Sequence, residues 1–189
     1  MASLQLDAEP LLGGFQESFD DTELSEAIEL AIVSIAIPLG GERAFKAALS
    51  KAFGVGIPAP GQSVLSADGQ TRFLWTGQDQ LFAIFEDPSP RAAADLGDKL
   101  GNVVYVTLQS DNWVALRISG GHARAALERI CPIDLAPSVF PKGAAARTAM
   151  EHMGTFILRD GADSFVLLSA SSSAQSFLHA VKTSIENVS

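Results

Sequence analysis

The chain has 189 residues, of which 47% are hydrophobic, and this composition fits one globular domain and not a disordered or fibrous protein. Its net charge is −9, which leaves no basic surplus to neutralise phosphates, so we expect no nucleic-acid partner. No stretch approaches the roughly 20 apolar residues of a membrane helix, and residues 1–10 lack the features of a secretory signal, so we expect a cytoplasmic protein with no membrane partner.

Negative charge is concentrated in residues 1–29, which hold eight acidic and no basic residues. We therefore interpret residues 1–29 as an acidic N-terminal extension and residues 30–189 as a single domain. A solvated, disordered leader is the simpler interpretation of the extension. Its apolar residues, among them Leu11, Phe15 and Phe19, favour an arm that orders on a basic partner surface.

The first half of the domain, residues 30–108, predicts the order β-α-β-β-α-β. A β-branched run that ends before Pro38 indicates a buried strand, and apolar residues at helical spacing follow it. A turn containing Gly77 separates two strands of a hairpin, and Ser89 is expected to cap the second helix. The predicted strands are 28–37, 72–75, 81–85 and 103–108, and the predicted helices are 42–53 and 90–100.

The second half, residues 109–189, repeats this pattern. In both halves an apolar run leads through paired glycines, at 40–41 and 120–121, into a helix, which indicates two copies of one unit. The predicted strands are 113–118, 144–150, 154–159 and 165–169, and the predicted helices are 121–130 and 172–185. We expect an α+β fold of duplicated β-α-β-β-α-β, ferredoxin-like halves whose sheets are covered by helices on one side.

The residues that usually carry catalysis or bind metals form no identifiable site in this sequence. His122, His152 and His179 lack the spacing of a metal site, and we expect surface or capping roles for them. Cys131, the one cysteine, is expected to be a buried structural thiol. We therefore assign no catalytic, cofactor-binding or metal-binding residue to the chain.

Several strings of residues are distinctive enough to point to a known family. They are LWTG at 74–77, QSDNWVALRISG at 109–120, CPIDL at 131–135 and GAAART at 143–148. Together they resemble the gamma subunits of heterotetrameric sarcosine oxidases, and the likeness runs from about residue 33 to residue 178. The 109–148 segment is its most specific part, and the acidic extension lies outside it.

The resemblance implies a fold like the folate-binding domain of glycine-cleavage aminomethyltransferases. It also implies a bacterial complex that oxidatively demethylates sarcosine to glycine, with alpha, beta and delta subunits as partners. In that family FAD, FMN, NAD and tetrahydrofolate belong to the partner subunits, so this chain would be an accessory subunit without cofactors of its own. The alternative is a free-standing folate-binding or assembly protein of the aminomethyltransferase superfamily. Whether the isolated chain forms a homodimer is left open by the sequence.

Four residues are candidates for structural or interface roles. They are Asp111, Trp113, Arg147 and Thr148. Asp111 can cap the turn that joins the halves, and Trp113 suits a core edge or an interface. Arg147 can form a bidentate pair with Asp111 or Asp134 within the chain, or with a carboxylate of a neighbouring subunit.

Overall fold

In the computed structural model, which describes residues 9–87 and 89–188, two antiparallel sheets pack face to face and helices cover their outer faces. The strands are β1 (Gln16–Phe19), β2 (Thr22–Glu26), β3 (Leu30–Ala36), β4 (Ser63–Leu65), β5 (Thr71–Gly77), β6 (Gln80–Glu86), β7 (Tyr105–Leu108), β8 (Trp113–Gly120), β9 (Ala145–Met150), β10 (Met153–Arg159) and β11 (Ser164–Ala170). The helices are α1 (Glu42–Phe53), α2 (Ala92–Lys99), α3 (Ala123–Ile130) and α4 (Ala174–Glu186). The predicted α+β fold is confirmed.

The two sheets repeat one arrangement. The first sheet has the spatial order β4-β5-β6-β3-β7, and the second has the order β1-β2-β8-β11-β10-β9. Helices α1 and α2 pack on the outer face of the first sheet, and α3 and α4 pack on that of the second. Every strand and helix predicted from the pattern is present, with each end within two residues of the predicted one. The expected Ser89 cap is wrong, because α2 begins at Ala92 and Ser89 Oγ accepts the Arg91 N–H in the preceding turn.

The acidic N-terminal segment completes the second half of the fold. In the first sheet β7 pairs antiparallel with β3, the strand that opens the first half. In the second sheet β2 takes the equivalent place on β8, the strand that opens the second half. The division into 1–29, 30–108 and 109–189 stays a prediction, and the two strands within residues 16–26 argue against its first boundary. The expectation of a disordered leader is wrong for those residues.

Close backbone approach explains Gly120, the first glycine of the second pair. The turn between β1 and β2 lies directly against the end of β8, and Gly120 has a positive φ of 123°. A Cβ atom on Gly120 would clash with the Asp21 carbonyl oxygen and the Thr22 backbone, so this position requires glycine for the N-terminal hairpin to dock. A Cβ atom on Gly121 would meet only the end of the exposed Asp21 side chain, which can move aside.

Carboxylates of the N-terminal segment find their partners within the same chain. The Glu26 carboxylate accepts the backbone N–H groups of Leu12 and Gly14. The hydrogen bond with Glu17 raises the pKa of Lys182. The paired atoms are Glu17 Oε2 with Lys182 Nζ at 2.7 Å, Asp21 Oδ1 with His122 Nδ1 at 3.0 Å, and Glu29 Oε1 with an Arg117 guanidinium nitrogen at 3.6 Å. These contacts lie within the chain itself, on its second half and within the N-terminal segment.

Apolar side chains fill the space between the two sheets. Residues from β3, β5 and β6 meet residues from β8 to β11, and the layer includes Phe82, Phe156 and Leu168. Along one side the sheets are joined by backbone hydrogen bonds, from Ser63 N–H to the Gly143 carbonyl (2.8 Å) and from Ala145 N–H to the Gly61 carbonyl (3.1 Å). On the other side a groove opens between β3 and β8.

Replacing Leu24 with Ala tests whether β2 is part of the core. Leu24 is fully buried among residues of α3, α4 and the second sheet. We expect Leu24→Ala to lower the free energy of unfolding by about 2–5 kcal/mol, because it removes buried methyl groups and leaves a cavity. Urea unfolding followed by circular dichroism measures the change.

The matched control is Glu23→Ala on the same strand, whose side chain is exposed. We expect this variant to change the free energy of unfolding by less than about 0.5 kcal/mol. Equal stability of both variants and the unmodified chain would show that the segment is a dispensable leader.

Candidate functional site

Residue types that usually carry chemistry lie dispersed in the described part of the chain. His122 precedes α3, His152 lies in the turn between β9 and β10, and His179 lies in α4. Within residues 9–87 and 89–188, no group of three or more His, Cys, Asp or Glu residues is placed to hold a metal ion. Over the same residues, no helix combines the length and the apolar character needed to cross a membrane.

Cys131 is 5% exposed and follows the last turn of α3. Burial raises the pKa of its thiol, while hydrogen bonds with the Ile133 backbone and the Thr148 side chain act in the opposite direction. A thiol with a raised pKa is a poor nucleophile, because the reactive form is the thiolate. The predicted buried structural thiol matches this environment, and Thr148 is placed on the face of β9 that supports it.

Asp111 lies in the short 3-10 helix Ser110–Asn112 that joins the two halves. The turn is held by its neighbours: Ser110 Oγ accepts the Ile32 N–H at 3.1 Å, and Asn112 Nδ2 donates to Gln109 Oε1 at 2.6 Å. No residue of the described chain donates a hydrogen bond to the Asp111 carboxylate, so the expected capping role is not formed. The carboxylate lines the groove between the sheets instead.

Trp113 lies at the edge of the layer between the sheets. Its ring makes edge-to-face contacts with Phe82 at 5.6 Å and with Phe156 at 5.4 Å between centroids. Phe82 and Phe156 are themselves 5.5 Å apart, so the three rings form a triangle that joins the two sheets. Trp113 is half-buried and its remaining surface lines the groove, which makes it both a core-edge residue and a groove residue.

Arg147 is exposed on β9, the edge strand of the second sheet. Its guanidinium lies 5.5 Å from the centroid of the Phe156 ring. The expected pair within the chain is wrong for the described residues, since no ion pair joins Arg147 to Asp111 or Asp134. The Asp134 carboxylate instead accepts the backbone N–H of Ala136. Arg147 therefore offers its hydrogen-bond donors to the surroundings of the molecule.

The groove between the sheets has a volume of about 680 Å³ and is the candidate functional site. Its walls come from the N-terminal segment, the connection from β2 to β3, the loop after β6 and the junction between the halves. Its lining residues are Glu9, Pro10, Leu11, Glu26, Ala27, Ile28, Leu30, Ile32, Asp87, Ser89, Pro90, Leu108, Ser110, Asp111, Trp113 and Ala115. Four of them carry carboxylates and none is basic.

Two of the predicted candidates, Asp111 and Trp113, line this groove, whereas Arg147 and Thr148 lie on the edge strand β9 and are not among its lining residues. Sequence reasoning missed Leu11, Glu26 and Ile28 as groove residues. The apolar residues inside the acidic segment indicated that the segment contacts a protein surface, but they did not identify that surface.

The raised pKa of Cys131 predicts a loss of stability in alkaline solution. The thiol of the unfolded chain ionises at a lower pH than the buried thiol of the folded chain. The stabilisation from the neutral thiol is therefore complete below about pH 8.5, and it is lost as the pH rises towards the pKa of the folded chain. We expect the free energy of unfolding to fall more steeply between about pH 8 and 10 for the unmodified chain than for Cys131→Ala. Urea unfolding at a series of pH values tests this, and parallel curves would contradict it.

Comparison with known proteins places this geometry in a family. The sequence profile of the sarcosine oxidase, gamma subunit family matches residues 40–186. The sarcosine oxidase subunit gamma of Corynebacterium sp. (strain P-1) is 32% identical over 136 residues, which is 70% of this chain and 66% of the relative. That of Arthrobacter sp. is 34% identical over 125 residues, or 65% of this chain and 60% of the relative. The chain thus spans less than two thirds of the length of these relatives.

Solved structures agree with the sequence match. A chain of the heterotetrameric sarcosine oxidase from Corynebacterium sp. U-96, solved with pyrrole 2-carboxylate, aligns with a TM-score of 0.75 and 26% identity over 88% of this chain and 84% of that one. Glycine cleavage system aminomethyltransferase T from Bartonella henselae aligns with a TM-score of 0.63 at 16% identity, over 85% of this chain and 45% of that one, and this shows the fold alone. From the profile match over most of its length, the chain belongs to the sarcosine oxidase gamma subunit family.

Proposed function

We propose that this chain is an accessory, non-catalytic subunit of a heterotetrameric sarcosine oxidase that oxidatively demethylates sarcosine to glycine. The observation that carries the proposal is the structural alignment with a chain of such a heterotetramer over 88% of this chain. Its partners are the alpha, beta and delta subunits, and the complex works in the cytoplasm. The role of this chain is to present binding surfaces to them.

The proposal places FAD, FMN, NAD and tetrahydrofolate in the partner subunits. The groove of this chain is a poor fit for any of these anionic cofactors. Dinucleotides and folates carry phosphates or carboxylates, which require basic groups or free backbone N–H groups. The groove is lined by four carboxylates and no Lys, Arg or His, so it would repel them. This argues against folate binding in the groove.

The proposal is tested by capturing the tagged chain from its native host. We expect the eluate to contain larger subunits, to show the yellow absorbance of bound flavin, and to produce peroxide when sarcosine is added. Tagged chain recovered alone and colourless would overturn the proposal, and folate titration of the isolated chain would then test the alternative.

We further propose that Arg147 binds a carboxylate of a neighbouring subunit. Its planar guanidinium is exposed, has no carboxylate partner among the described residues and rests over the buried Phe156 ring, which holds it in place. A charge on an edge strand also discourages pairing with unrelated strands, so the residue can serve both purposes.

Replacing Arg147 with Ala separates assembly from stability. We expect the free energy of unfolding to fall by less than about 1 kcal/mol, because only an exposed cation–π contact is lost. Recovery of partner subunits should fall by about tenfold or more, since a partner carboxylate is left unpaired. Arg43→Ala, at an exposed position on α1, is the control and should leave recovery unchanged. Unchanged recovery with Arg147→Ala would contradict this role.

A further inference from the structure

The groove exposes apolar side chains that a protein surface normally covers. Ile28 is 58% exposed and Leu11 is 42% exposed, and both line it. The half-buried Trp113 lies beside them, and its ring has surface left after its contacts with Phe82 and Phe156. Tryptophan is enriched at the energetic centres of protein–protein interfaces, and an exposed apolar patch in a concave surface marks such an interface.

The charged side chains that line the groove in the described part of the chain are all negative. Carboxylates of Glu9, Glu26, Asp87 and Asp111 line the groove, and no basic side chain does. Two of these carboxylates accept hydrogen bonds from backbone N–H groups: Glu26 from Leu12 and Gly14, and Asp87 from Ser89. Such an arrangement attracts a cation and rejects anionic ligands.

The walls of the groove are held by the fold. The Glu26 carboxylate fixes the N-terminal wall through the bonds of 3.0 Å to Leu12 N–H and 2.8 Å to Gly14 N–H. The opposite wall is fixed where Ser110 Oγ accepts the Ile32 N–H. A site whose walls are already ordered loses little conformational entropy when it binds, which favours recognition.

We propose that this groove receives an extended segment of a partner subunit that carries a Lys or Arg side chain next to apolar side chains. The inference rests on the proposed function and identifies the chemistry of the contact. A small amine would pair with the carboxylates but leave Leu11 and Ile28 exposed. A polypeptide segment can pair with the carboxylates and also cover these apolar side chains. Residues 1–8 of the chain itself contain Asp7 and no Lys or Arg, so their side chains lack the required charge.

Charge reversal in the groove provides the test. The variant Asp87→Lys/Asp111→Lys places two positive charges against the partner's cation. The control variant Asp79→Lys/Asp163→Lys changes the net charge equally at two exposed turn residues outside the groove. Each tagged full-length chain is expressed in the native host, its folding is checked by thermal unfolding, and recovery of partner subunits is measured at low and at high salt.

We expect the groove variant to melt normally and to recover at least about tenfold less partner, because reversing charges that face a cation is repulsive. The control should recover partner within about twofold of the unmodified chain. If the groove variant unfolds, Asp87→Asn/Asp111→Asn replaces it, with the same expected direction. If the unmodified chain captures the flavoprotein and both variants do so equally, this inference fails and the proposed function stands. If the unmodified chain captures no partner, the proposed function itself fails.

Carbodiimide cross-linking identifies the occupant. This reagent joins a carboxylate to an adjacent amine, so mass spectrometry of the cross-linked complex should show Asp111 or Asp87 linked to a lysine of a larger subunit. A partner segment that uses arginine gives no such link and is identified by protection of groove peptides from hydrogen exchange in the complex. A link from Asp111 to the chain's own amino terminus, or to a lysine of a second copy, would overturn the proposal.

Discussion

Pairing of β2 with β8 is the contact on which the rest of the architecture depends. The first half supplies its own strand beside β3, β7, after its second helix, whereas the strand beside β8 in the second sheet comes from the segment before the first half. β2 fills this place from the other end of the sequence. The burial of Leu24 and the close approach of Asp21 to Gly120 and Gly121 follow from that pairing. Apolar burial carries most of its stability, since ion pairs between partly exposed groups, such as Glu29 with Arg117, contribute little.

The same pairing shapes the groove. Backbone hydrogen bonds near Gly143 draw the sheets together on the side of β4 and β9, and the sheets are free to diverge on the other side. There the chain must pass from β2 in one sheet to β3 in the other, and this crossing places Ile28 over the gap. The packed rings of Trp113, Phe82 and Phe156 close the gap on the side of the core, so the base of the groove is formed by side chains held in place.

Periodicity in the sequence was sufficient to predict the repeated core, because β3 and β8 are apolar runs buried on both faces and the four helices each bury one apolar face. It failed for β1 and β2, which are short and acidic and contain one apolar residue each, Phe19 and Leu24, so that no apolar period could be recognised. It also missed β4, a strand of three residues. Asp111 and Trp113 were identified because they lie in a distinctive string of residues. Whether Arg147 pairs with a carboxylate depends on a distance in the folded chain, and the spacing of residues in the sequence does not give that distance.

One stretch of sequence contributes both to the second sheet and to the groove. Residues 9–29 provide the strand that completes the second sheet, and the same stretch provides Leu11, Glu26 and Ile28 to the groove. Because Glu26 anchors the N-terminal wall only when β2 lies in place, the groove forms only on a chain whose second half is complete. A partner segment at the proposed site would therefore bind only a chain in which β2 is docked on β8. The acidic residues of the segment therefore have two roles. Some form ion pairs with Lys182 and Arg117 of the second half, and others give the groove its negative charge.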